Sequence, residues 1–539
     1  MACSKTPVVI RIFDQRLATD TESRNNACMT EPLPCFAVFD FGTGGGKCVI
    51  FDAHGKRRAA VRQTWSFTAA PSEYDDLTPG YSFDPHRVWA TLAQCARTAL
   101  KQALETSGLV PEDIAGVTTT SLRLGTVFLD LRGREIYCGP NMDGRGFGGG
   151  LELLEKISRE ELVGATGHWP PFLSTAARLL AYRKTAGAET PSYALSLNDW
   201  MGYRLSGAVA AEPSNAGETY FLDIARRSWS PQILDALEID PAILPPLVEG
   251  GTQIGRITAE AAASTGLPVG TPVFAGGADT QCALLGGGVL EPGHAGTVLG
   301  TTAPVMAICD QPAIDVSGRL WAGCHVLPDR WTLESNAGET GTAWDWALDI
   351  FGLEGPTRYS AAEELIQKAD DDADATIAFA HPQIFDLENY NPQRLTGFGF
   401  RQNGFAGTKG PSRGQLLRAF LRNLVYAVRA NLEQVEEKLG TEVASLTLSG
   451  GMTRSRSLLE QFARVIERPL FVASEPDATA LGAAILASVA TGTHSDSEQA
   501  ATAMVRRETV AQEGAVRPDA SAAYEKWREV YSVARKTSI

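Results

Sequence analysis

Residues 36–52, FAVFDFGTGGGKCVIFD, constrain the fold more than any other part of this 539-residue chain. They read as two short apolar strands joined by a glycine-rich turn, Gly42-Thr43-Gly44-Gly45-Gly46. Glycine carries no Cβ and accepts positive φ, so such a tip lets backbone approach a ligand closely. Backbone N–H groups converging there form a nest for an anion, most often phosphate. Asp40 enters the turn and Lys47 leaves it, setting a carboxylate suited to a metal and a cation suited to phosphate beside one loop. Two common nucleotide patterns do not fit. The P-loop needs four residues between its first glycine and the Gly-Lys pair, then Ser or Thr; here only three separate Gly42 from Gly46-Lys47, and Cys48 follows. The dinucleotide fingerprint needs a helix after its glycines, whereas the strand-like run Cys48-Val49-Ile50-Phe51 continues. On this stretch alone, a glycine-rich hairpin without a ligand is the alternative to an ATP site.

Length allows roughly two to four domains. A composition that is 44% hydrophobic and 21% charged is that of a soluble globular protein. No apolar run approaches the ~18 residues that cross a bilayer, so no membrane partner is expected. The net charge of −15 is spread thinly, which argues against a nucleic-acid surface. Nine scattered cysteines without a C-x-x-C pair argue against zinc or a disulfide framework, and for a reduced cytoplasmic setting. Residues 1–34 read as a disordered or non-native extension. Val8-Val9-Ile10 is too short for a signal-peptide core, and Met29 is a candidate initiator just before the first core strand.

Beyond the hairpin, strands and helices alternate, which predicts an α/β sheet covered on both faces. A third strand is expected over residues 57–65. A helix is expected over 85–104, with Val88, Leu92, Cys95, Ala96 and Leu100 at helical spacing. A strand over 117–121 ends at Leu122-Arg123, and strands over 126–131 and 135–138 precede Asn141-Met142-Asp143-Gly144-Arg145. Arg123, Asp143 and Arg145 thus fall where strands stop, which is where open α/β sheets bind ligands. A plain surface ion pair is the alternative for Asp143 and Arg145. In Pro272-Val273-Phe274-Ala275-Gly276-Gly277-Ala278-Asp279, a strand gives way to a helix opened by Asp279, for which an N-cap is the bland reading. Strand, Gly300-Thr301 turn and strand then repeat the device of Gly42-Thr43, suggesting a duplicated fold that grips one nucleotide from both sides. Ser449-Gly450-Gly451-Met452 offers a strand-to-helix turn where a flat ring can lie against backbone. The amphipathic stripe over 415–432 is core.

Together these blocks resemble the FGGY carbohydrate kinases, of the ribonuclease H-like, actin and sugar-kinase superfamily, over residues 36–490. DFGTGGGK resembles the family's first phosphate hairpin, GGAD the segment of the catalytic base, GTT the second phosphate hairpin and SGGM the adenine turn. SNAGETYFLD resembles another family motif. The pieces GTGGGKCVIFD, NDWMGYRLSG, PSNAGETYFLD and ATALGAA look most like autoinducer-2 kinases, although pentulose and polyol kinases share much of this pattern.

The resemblance implies an α/β fold of two ribonuclease H-like domains, residues 35–280 and 281–490, with a catalytic cleft between them. A tail over 491–539 would carry a packing helix at 522–533. It implies ATP and Mg²⁺ as cofactors and a small sugar or polyol as substrate, with a homodimer also compatible. Asp279 would be the general base. Asp40 and Asp279 would hold Mg²⁺. Gly42, Thr43, Gly44, Gly300 and Thr301 would cradle phosphates with Lys47 near them, and Gly450, Gly451 and Ser455 would border adenine. Arg123, Asp143, Phe172, Asp279 and Thr280 would meet the substrate. Three departures stand out: Leu124 follows Arg123 where the family often has an acid, Ser455 stands where an asparagine is frequent, and the Met-His-Gly segment of xylulokinases is absent. The different-class alternative is a superfamily ATPase or scaffold. It usually needs a separate peptide-binding domain, and only about 57 residues follow Gly482.

Overall fold

The computed structural model describes residues 33–72, 78–370, 376–379, 384–385, 396–400, 410–511 and 518–537. The expectations for residues 1–32, Met29 included, lie outside them.

Strand Cys35–Gly42 is apolar on both faces and buried from Cys35 to Phe41, the pattern of a strand covered on both sides. It sits inside a six-stranded sheet. Gly45–Asp52 and Arg57–Thr64 extend the sheet on one side as an antiparallel meander. On the other side Ile114–Ser121 and then Pro272–Ala278 run parallel, and Gln253–Arg256 closes the edge. The second sheet repeats the plan. His294–Val298, Thr302–Cys309 and Trp331–Glu339 form the meander, Ser445–Ser449 and Leu470–Ala473 run parallel, and Trp321–Cys324 and Arg507–Ala511 form the edges. The duplicated α/β fold is therefore present, with Trp321–Cys324 as one strand more in the second sheet.

Local signals set the helices that cover these sheets. Pro85–Ser107 starts where the Asp84 carboxylate accepts from the His86 and Arg87 amides, and stops at left-handed Gly108. Its apolar face packs on the first meander. Arg413–Leu439 starts in a Ser412–Gln415 capping box and buries Leu417, Phe420, Leu421, Leu424, Val428 and Leu432 against the second sheet. The tail helix Pro518–Lys536 buries Tyr524 and Trp527, with the Trp527 indole donating to Asn423 Oδ1 at 3.0 Å.

Helices Asp279–Gly286 and Ala478–Ala490 are rich in small residues, and the reason is their spacing. A Cβ on Gly286 would lie 1.9 Å from Ala478 O, and one on Gly482 1.9 Å from Cys282 O. The second of them also covers Phe36, Val38 and Phe51 of the first sheet.

Two local expectations shift. The first hairpin turns on Thr43-Gly44 alone, because Gly42 and Gly45 already pair. Helix Asp279–Gly286 takes Ala278 as its N-cap, so the Asp279 side chain is not a cap.

Candidate active site

Three parallel strands end side by side. Asp40 pairs in register with Thr120, and Thr120 with Gly277. Asp40, Arg123 and Asp279 therefore leave the same edge of the sheet, the carboxyl edge where ligands bind. They open into a cleft of about 870 Å³ lined also by Gly42, Thr43, Gly44, Lys47, Thr280, Gly300 and Thr301. An adjoining pocket of about 660 Å³ is lined by Leu299, Gly300, Thr301, Gly451, Met452 and Ser455. Arg454 lines both. Both Gly-Thr tips line the cleft, and the Gly300–Thr301 tip also lines the adjoining pocket, so it stands where the two meet. A groove of about 990 Å³ around Arg134, Glu135 and Tyr203 contains none of these residues.

Close backbone approach builds the second tip. Gly450 has φ +94°, and a Cβ there would lie 2.6 Å from Leu299 O. This lets the Met452 amide reach Leu299 O at 3.2 Å. Beyond it, the Ser455 hydroxyl donates to Glu363 Oε2 at 3.0 Å and accepts from the Leu458 amide, capping the next helix.

Charge is arranged unevenly across the cleft. Burial pushes the Asp279 carboxyl up to about 7; Arg123 opposes that rise and Asp40 adds to it. Lys47 is held between two carboxylates, Asp40 at 3.1 Å and Asp477 at 2.8 Å. Burial alone would lower the Lys47 pKa, but these partners hold it above the usual lysine range. Arg123 pairs with Glu334 and with Glu218 at 3.2 Å, and lies over the Trp321 ring at 5.6 Å. Glu218 is buried, which alone would raise it, yet His168 and Arg123 draw it down to about 2.

Not every expected residue reaches the cleft. Asp143 does not: its carboxylate is fully buried and accepts from the Tyr137 hydroxyl, the Tyr81 amide and the Arg145 guanidinium. It also caps the short turn Gly144–Gly146, so the expected substrate contact is corrected to a structural one. The neighbouring Asn141 lines the cleft instead and donates to Thr43 Oγ1 at 3.1 Å. Phe172 stacks on Phe147 at 4.6 Å between ring centres, and Leu173 takes the place at the cleft wall. Gly450 packs against the Leu299 backbone and does not line the adjoining pocket, whereas Gly451 does.

Sequence reasoning missed Trp321, Glu334, Glu339 and Asp477. The strands of the second sheet that carry the first three have no motif, and Asp477 is recognisable only through its distant partners Lys47 and Arg57. Leu124 lines the cleft at φ +62°, an uncommon conformation for a bulky residue. The buried Arg178 guanidinium holds the Leu124, Pro140 and Asp143 carbonyls together behind it.

Comparison with known proteins bears on the family and the fold. The FGGY family of carbohydrate kinases matches in two parts, its N-terminal domain over residues 35–286 and its C-terminal domain over 295–491. The chain is 30% identical to the autoinducer-2 kinase of Escherichia coli strain K12 over 484 residues, 87% of this chain and 89% of that one. Identity is likewise 30% over 533 residues with the autoinducer-2 kinase of Salmonella paratyphi B, covering 96% of each chain. The crystal structure of xylulose kinase from Rhodospirillum rubrum superimposes with a TM-score of 0.75 at 24% identity, covering 93% of this chain and 98% of that one. The chain belongs to the FGGY family of carbohydrate kinases.

Proposed function

We propose that this kinase transfers the γ-phosphoryl group of ATP to a hydroxyl of a small open-chain sugar or polyol, with Asp279 as general base. The observation that carries this reading is the meeting of Asp279 with both Gly-Thr tips in one cleft. Asp279 accepts the acceptor's hydroxyl proton, and a carboxyl brought up to about 7 is matched to that task near neutral pH. The Gly42–Thr43 and Gly300–Thr301 tips orient the triphosphate through backbone N–H groups. The pocket beside Gly451 takes the adenine, and Arg123 with Trp321 forms the acceptor side. Such transfer depends on positioning and charge stabilisation more than on covalent chemistry.

Asp40 and Asp279 also fit Mg²⁺. Both line the cleft, and the charge of Asp40 acts on Asp279. Magnesium typically takes one or two carboxylates together with substrate phosphates and keeps several waters. When bound, the ion would neutralise charge on the triphosphate.

For the acceptor we propose an autoinducer-2-type open-chain substrate, on the strength of the 30% identity over nearly the whole chain. Pentuloses and polyols are the competing acceptors. The test is ATP turnover with Mg²⁺ against open-chain autoinducer-2 precursor, xylulose, ribulose, fuculose, erythritol, glycerol and gluconate, with Asp279→Asn in parallel. Acceptor-dependent turnover that falls by about 10²- to 10⁴-fold in the variant supports the assignment. ATP hydrolysis that ignores the acceptor and is equal in both proteins overturns it in favour of an ATPase.

A further inference from the structure

We infer that Thr120 and Ser214 are positioning residues for Asp279, acting through a hydroxyl clamp on the peptide unit between Gly277 and Ala278. The inference rests on Asp279 being the catalytic base.

Strand Pro272–Ala278 ends one residue before Asp279. Its pairing with Ile114–Ser121 slips between Phe274 and Gly277, and side chains take up the backbone groups of the next peptide. The Thr120 hydroxyl donates to Gly277 O at 2.9 Å. The Ala278 amide donates to Ser214 Oγ, also at 2.9 Å. Carbonyl and amide belong to one rigid plane, so the two hydroxyls fix it at both ends. From that plane, only the φ and ψ of Ala278 and the φ of Asp279 separate the clamp from the Asp279 Cα–Cβ bond.

The clamp is itself held. Ser214 donates to Glu212 Oε2, which also accepts the Ser214 amide at 3.0 Å and caps the turn Pro213–Ala216. Thr120, Ser214 and Glu212 are all buried, at 0%, 2% and 0% exposure, so water cannot replace the bonds. Packing leaves no slack, since a Cβ on Gly277 would lie 2.9 Å from Ser214 Oγ and 3.1 Å from Glu212 Oε2. Burial brings the Glu212 carboxyl up to about 8, so glutamine is a fair copy of its neutral form.

In-line transfer makes this matter. A misplacement of about 1 Å in a catalytic group costs about 100-fold. A clamp that only stabilised the fold would lower stability without selectively lowering kcat.

The test uses the full chain with its best acceptor and four variants: Thr120→Val, which keeps the shape and loses the hydroxyl, Thr120→Ser, which keeps the hydroxyl, Ser214→Ala and Glu212→Gln. Thr120→Val and Ser214→Ala are expected to lower kcat by about 10- to 100-fold, with both KM values within about threefold. Thr120→Ser and Glu212→Gln are expected to stay within about threefold of the unaltered kcat. Unchanged kcat in Thr120→Val overturns the inference. So does a loss in Thr120→Val that Thr120→Ser shares, or one that only follows a loss of folded protein. If Ser214→Ala does not fold, the Thr120 pair decides alone. Full turnover in Asp279→Asn instead removes the assignment of the base, whereas a dead Asp279→Asn beside a normal Thr120→Val removes only the clamp.

Discussion

Arg123 and Glu334 meet from opposite sheets in a two-point ion pair, Nη1 to Oε2 at 2.5 Å and Nη2 to Oε1 at 2.8 Å. Their side chains are only 13% and 2% exposed. Burial disfavours the charge on Arg123, and Glu334 and Glu218 more than restore it. Leu124 leaves the position after Arg123 without an acid, and the carboxylates that pair with Arg123 are those of Glu334 and Glu218. Removing one partner of a buried pair strands the other, at a cost of about 3–5 kcal/mol, whereas replacing both with apolar groups is often neutral. Glu334→Ala should therefore destabilise in chemical denaturation, by less than a fully stranded charge would, because Glu218 still faces Arg123 at 3.2 Å. The double variant Arg123→Met/Glu334→Leu should recover most of that stability without turnover. A cost below about 1 kcal/mol for Glu334→Ala, the scale of an exposed pair, would show the contact to be weak.

Gly450 and Gly451 should respond differently to alanine. At Gly450 a Cβ meets Leu299 O at 2.6 Å and φ is +94°, whereas at Gly451 nothing lies within 4 Å. Gly450→Ala should cost more than about 1 kcal/mol, visible as a lower melting temperature. Gly451→Ala should fold normally and raise the KM for ATP, because its methyl group enters the pocket proposed for adenine. Equal melting temperatures for the two would refute the argument from the turn.

Lys47 should act on the nucleotide rather than the acceptor. It faces Asp40 and Asp477 at the first tip, whereas Arg123 faces Glu218 and Glu334. Lys47→Met should raise the KM for ATP by about 10-fold or more, the scale of one lost charge-assisted bond, and leave the acceptor KM within about twofold. A larger effect on the acceptor would misplace the two subsites.

What was legible from sequence follows from how local each feature is. The two glycine tips, Asp279 at a strand end and the helix that opens at Pro85 are written in consecutive residues, and the fold they imply is present. Asp143 was misread because a carboxylate at a strand end looks the same whether it faces a cleft or Tyr137 and Arg145. Only packing decides. Glu334 and Asp477 were invisible because each is defined by a partner more than 200 residues away. The Thr120–Gly277 bond is equally hidden, since it needs the strand slip to exist.

Stability should fall as pH rises from about 4 to about 8. Burial pushes Asp199 up to about 7 and Glu212 up to about 8, from ordinary values near 4. Across that window the unfolded chain has released protons that the folded chain still binds. The unfolded state therefore binds fewer protons, and the unfolding free energy drops with pH. Below about pH 4 the contribution is fully present, and above about pH 8 it is lost. His168, raised by Glu218 against the effect of burial, adds to the same trend, because its contribution is lost as pH rises through its folded value. Denaturation midpoints at about pH 5 and about pH 8.5 should therefore differ, with the lower one at the higher pH. Glu212→Gln has no proton to lose and should flatten the difference. A midpoint that rises over this range, or a Gln variant with an undiminished slope, would mean that the buried carboxyls are already ionised in the folded protein.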